Sequence, residues 1–229
     1  MQVLFRTISS ALLAGLLAGL CLFLIQRFTI LPLIHTAESY EEAAGVEAQS
    51  EDAFAREPMR SIATLLGDVF VATAFGLFLT AFYAVTLRDG WRYGLLCGLV
   101  GFATFHLAPA MVVPPAVPAM EVAPLAVRQI AWWGSVVSAA IGFILIFALT
   151  RFAKFVGLLF FLLPMAVFRL LSPLSTPTTH SHSLALLDRA FVCRTLAGLM
   201  VFWLILGAVS AHLFARAARN LRSTRVIER

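Results

Sequence analysis

The side chains able to hold an ion are few and widely spaced along the chain. Of the five histidines, His35, His106, His180 and His182 fall near segment ends that a membrane topology groups on one side. Glu38 and Glu121 add carboxylates there. Imidazole nitrogen combined with carboxylate oxygen suits borderline divalent ions such as cobalt, nickel or zinc, whereas a copper(I) path calls for clustered thiolates or a methionine run. His35 and Glu38 stand three positions apart. They share a helix face if the helix around them continues through Tyr40. His106 lies within an apolar run, where polar residues are costly and become functional candidates by default. Glu121 closes a proline-punctuated turn, and His180 and His182 make a His-Ser-His step. Each has a plainer use as well: a surface cap for His35, an interhelical hydrogen bond for His106, a turn residue in Glu121, a solvated loop for His-Ser-His. Asp68, in the second apolar run, reads as the partner of an arginine rather than as a ligand.

The elements that must position these groups are membrane helices. Of 229 residues, 61% are hydrophobic and 13% charged, and the mean hydropathy is +0.92. Soluble domains carry about 25% charged residues. Cys21, Cys97 and Cys193 lie in apolar runs without CxxC spacing and read as small buried hydrophobes, not as a disulfide framework or zinc knuckle. The arginines cluster at the ends of apolar runs, which in a membrane protein reflects orientation and lipid contact, not nucleic acid.

The apolar runs predict an all-α integral membrane protein, one polytopic domain over residues 1–229. Six spans are expected: Phe5–Leu33, Ser61–Thr86, Tyr93–Met111, one following Trp132-Trp133 to Thr150, Phe155–Leu171 and Ala190–Phe214. The number falls to five if Phe155–Leu171 is re-entrant, since Pro164 and Arg169 disturb its far end. Small residues four apart mark close-packing stripes: Ala11, Gly15 and Gly19; Gly94 and Gly98; Gly134, Ser138 and Gly142. Pro109, Pro114, Pro115 and Pro118 cannot sit in an uninterrupted helix and mark a turn at the end of the third span. Between spans, residues 35–60 read as an acidic loop with seven carboxylates against two arginines. Residues 172–189 read as a histidine-bearing loop and 216–229 as a basic tail.

Charge orients this topology. With both termini cytoplasmic, ten basic residues fall inside and seven outside, and the inner loops are the short ones in which this bias counts. The acidic and histidine-bearing loops are then extracytoplasmic, and the acidic field would concentrate cations there. No GxSxG, HExxH, P-loop or glycine-rich nucleotide fingerprint is present, so an enzyme is not expected.

The order of segments resembles a known family. LPLIHTAESYEE (Leu31–Glu42), GLLCGLVGFATFHLAPAMVVPPAVPAME (Gly94–Glu121), RQIAWW (Arg128–Trp133), GLLFFLLP (Gly157–Pro164) and FVCRTLAGLMVFWLILGAVSAHL (Phe191–Leu213) are similar to the CbtA family of predicted cobalt transporter subunits. Tyr40 and Glu41 fall in its AExYE-like pattern, and Pro109, Pro114 and Pro115 in its LAPxxxxPPxxPxxE-like turn. After the fifth span the family has a Pro-His step, where this chain reads Pro164-Met165. The resemblance implies a multi-pass protein of the bacterial inner membrane, associated with cobalamin metabolism. It also implies a CbtB-like partner, a short single-span protein with a histidine-rich end. No tightly bound cofactor is expected; cobalt, nickel or zinc would be cargo. The reading from a different class is a structural or assembly subunit of a larger membrane complex, with no transport of its own.

Overall fold

A backbone surrounded by lipid must satisfy its own polar groups, and a helix does so within one segment. The computed structural model describes residues 2–43, 50–86, 88, 90–118, 120, 122–148, 150–171 and 182–227, and all regular structure among them is helical. The chain runs α1 (Gln2–Ile25), a π-helical turn (Gln26–Ile30), α2 (Leu31–Ala43), α3 (Ser50–Thr86) and α4 (Trp91–Phe102). A second π-helical turn (Ala103–Leu107) leads into α5 (Ala108–Val112), followed by α6 (Leu125–Ala148), α7 (Arg151–Leu171) and α8 (His182–Ile227). Six stretches are long and apolar enough to cross a membrane: Thr7–Tyr40, Pro58–Thr86, Trp91–Val112, Leu125–Phe147, Arg151–Phe168 and His182–Ala217. The protein is thus an all-α, multi-pass membrane protein.

Each π turn ends two residues before a proline, Pro32 or Pro109. A proline lacks the N–H that would bond four residues back, and its ring crowds that carbonyl. Widening the preceding turn relieves the clash while the helix goes on. At the second turn the Ala108 N–H donates to the Ala103 carbonyl, five residues back. Pro109 therefore does not interrupt the third span, contrary to expectation; the helix ends at Val112, before Pro114 and Pro115.

The segments between the spans are helical in part. The acidic segment 35–60 is helical through Ala43 and again from Ser50, so a loop is excluded at both its ends. Alanine and glutamate are strong helix formers, and they carry the helices onward. The loop expected at 172–189 gives way to α8 at His182, and the basic tail continues that helix to Ile227. Phe155–Leu171 lies in one continuous helix despite Pro164. At 21 residues it measures about 31 Å, against a hydrocarbon core of about 30 Å.

The chain groups into two compact units. One comprises residues 1–28, 49–99 and 198–229, the other 29–48 and 100–197. In the first, α1 and α3 meet along Ala11, Ala14, Gly15, Ala18 and Gly19, with all three alanines fully buried. A side chain at Gly15 or Gly19 would strike the backbone of Thr73 or Val69. At a second crossing Gly94 and Gly98 of α4 rest on the Gly207 and Trp203 carbonyls of α8. Trp203, Tyr83, Phe202 and Leu206 are buried around it. The Tyr83 hydroxyl donates to the Gly207 carbonyl at 3.3 Å.

In the second unit α6 and α7 cross where Gly142 meets Gly157, and the Ser138 hydroxyl donates to the Phe160 carbonyl. Gly134 does not belong to this contact, since a side chain there would meet nothing within 4 Å. Apolar side chains of α7 are exposed at Phe152, Phe155, Leu159 and Leu170, as suits a helix against lipid. Among the cysteines Cys97 is buried and Cys21 half-buried, but Cys193 is exposed.

Candidate functional site

Of the six metal-ligand candidates, the structure joins two. His35 and Glu38 lie on α2, and Nδ1 of His35 stands 3.2 Å from Oε2 of Glu38. Their side chains are 49% and 37% exposed, so water and solutes reach both. Helical geometry alone places positions three apart on one face, as the spacing predicts. An ionised carboxylate can only accept, so the bond is made from Nδ1–H. In the neutral imidazole this tautomer carries its lone pair on Nε2, where an ion can bind.

Two other segments are packed onto this helix. Ala37, beside Glu38, is fully buried in a cluster with Val117 of the proline segment and Leu184 of α8, flanked by Met120, Leu187 and Phe191. The Val117 N–H donates to Oδ1 of Asp188 at 3.2 Å, tying the proline segment to α8. His182 opens α8 and is exposed. His106 sits on the second π turn, mostly shielded, with α6 packed against that turn. Glu121 and His180 lie outside the described residues. Tyr40 is exposed at the end of the first span; Glu41 is helical; Pro109 is buried at the start of α5. Among the described residues no three His, Cys, Asp or Glu side chains form a group suited to a metal ion. The described site is thus an imidazole–carboxylate pair on a braced helix.

Sequence reasoning overlooked two polar residues. Nε2 of Gln26, on the first π turn, donates to Oδ1 of Asp68 on α3 at 3.3 Å. Asp68 therefore pairs with an amide, correcting the arginine expected for it. Nη1 of Arg194 on α8 donates to the Thr29 carbonyl, also on the first π turn, at 3.3 Å. The guanidinium thereby ties α8 to the first π turn. The available signal was a polar residue shortly before a proline inside an apolar run. Gln26 precedes Pro32 in this way, and His106 precedes Pro109.

Comparison with known proteins agrees with this architecture. No curated protein and no solved structure matches the chain. A family model described as "Probable cobalt transporter subunit (CbtA)" matches residues 5–215, nearly the whole length. A polytopic helical protein whose His35, Glu38, Tyr40 and proline segment fall inside that match belongs to the CbtA family.

Proposed function

We propose that this protein is the membrane-spanning subunit of a transporter for cobalt or a related divalent ion, and that His35 and Glu38 receive the ion at its outer mouth. The observation that carries this reading is the His35–Glu38 bond, which presents an exposed imidazole with its Nε2 lone pair free beside a carboxylate. Such a pair matches the ligand preference of borderline divalent ions. One imidazole, oriented by the carboxylate on its other nitrogen, holds an ion loosely enough to release it, as conduction requires. The acidic residues of segment 35–60 raise the local cation concentration. His106, on a π turn within the third span, is the next station inward. Glu121, His180 and His182 are the remaining candidates for the mouth. A CbtB-like single-span partner with a histidine-rich end would deliver ions to it.

The test is cobalt, nickel and zinc uptake by cells expressing the His35→Ala/His106→Ala double variant at the protein level of the wild type. Uptake of at least one ion falls several-fold. Unchanged uptake of all three removes the proposed site and favours a structural or assembly role.

A further inference from the structure

A carboxylate in a span with no cationic partner among the described residues is the least expected polar group in such a protein, and half-buried Asp68 is one. It lies in the Pro58–Thr86 span, ten positions from its start. Oδ1 accepts a single hydrogen bond from Gln26. Oδ2 is buried and has no hydrogen-bond partner among the described residues. The backbone around it is fixed, because Gly19 of α1 rests on Val69 and on the Asp68 carbonyl with no room for a side chain. Asp68 cannot drift to the surface for solvation without breaking that contact.

The charged groups nearby do not compensate it. On the packed run Arg27 follows Gln26 and is exposed, and Cys21 is half-buried; on α3 itself Arg60 is exposed two turns away. Among the described residues, the side chain that bonds Asp68 is the neutral amide of Gln26. Tyr93 and Cys97 of α4, and His212 and Arg216 of α8, belong to the Tyr83 end of this unit. That end is fifteen positions along α3, or about 22 Å.

We propose that Asp68 is a proton-binding site within the membrane, with Oδ1 held by the Gln26 amide and Oδ2 the atom that takes the proton. An ionised carboxylate with one neutral donor and its second oxygen shielded from water loses part of its solvation, whereas the acid form loses far less. Asp68 accepts a proton from hydronium to give the neutral acid and water, and returns it by the reverse step. This proposal does not rest on the His35–Glu38 reading, since it concerns a different ion and a different unit.

The test uses dicyclohexylcarbodiimide, an apolar reagent that reacts with carboxylic acids inside membranes. The acid's proton passes to a carbodiimide nitrogen, the carboxylate oxygen bonds to the central carbon, and the adduct rearranges to a stable N-acylurea. The full-length protein in lipid vesicles is treated across a pH series, and its peptides are mapped by mass. The adduct appears on the Asp68 peptide at mildly acidic pH, declines as pH rises, and is absent from Asp68→Asn. Gln26→Leu, which removes the donor favouring the ion, reacts faster. The wild-type series alone decides the matter if a variant fails to fold. An unmodified Asp68 in folded protein at mildly acidic pH would overturn the proposal, as would a rate that pH does not change. Suppression by cobalt with no pH effect would reassign Asp68 as a metal station and overturn it equally.

Discussion

His35 and Glu38 meet at 3.2 Å from positions three apart on one helix, whereas Gln26 and Asp68 meet at 3.3 Å from positions 42 apart on two. Each pair joins a side-chain N–H to a carboxylate. The first is exposed and built by the repeat of a single helix, so it forms wherever α2 forms. The second exists because glycines let α1 and α3 approach at backbone distance, and it lies where water is scarce. An exposed pair contributes little to stability and remains open to solutes. A shielded one carries the full cost of any group left unsatisfied. Similar chemistry therefore underlies two different proposals, ligand capture in one place and proton exchange in the other.

The contact beneath the shielded pair gives the largest expected effect. Gly19→Leu places a side chain against the Val69 backbone and should cost about 3 kcal/mol or more, since overpacked interfaces must shift. Thermal unfolding in detergent measures this, with Gly134→Ala, where the space is open, as the unchanged control. Equal stability of the two variants would break the distinction between crossing and open positions.

Removing the amide comes next. Gln26→Leu leaves the Asp68 carboxyl without its side-chain donor, a loss of about 1–3 kcal/mol for a shielded group. Asp68→Asn should restore part of that loss in the double variant, because the neutral side chain has less solvation to lose. No recovery in this double-mutant cycle would indicate that the two residues do not act as a pair.

The exposed pair should give the smallest stability change. His35→Ala is expected to alter unfolding by less than about 0.5 kcal/mol, while cobalt retained by the purified protein falls. A large stability loss at His35 would make it a structural cap and erase the contrast with Gln26.

The legible part of this protein follows from local rules. The spacing of His35 and Glu38 is a helical repeat. Gly15, Gly19, Gly94 and Gly98 are read correctly as close-approach positions, because four-residue spacing puts them on one stripe. Gly134 satisfies the same spacing yet meets nothing; a stripe states where an approach is allowed, and a partner helix decides whether it occurs. Pro109 shows the converse. Proline forbids a regular helix locally, but a π turn absorbs the conflict and the span continues.

Composition and hydrophobic runs determined by themselves an all-helical, multi-pass protein with six spans, since lipid permits no other use of such segments. The spacing of His35 and Glu38 offered the imidazole–carboxylate pair too, provided that the helix ran on through Tyr40, as it does. Only the tertiary structure decided that Asp68 faces Gln26, that Asp188 holds the Val117 amide and that Arg194 caps a π turn. Those partners come from distant segments, and their meeting depends on which helices approach and how closely, a relation that no local pattern of residue types encodes.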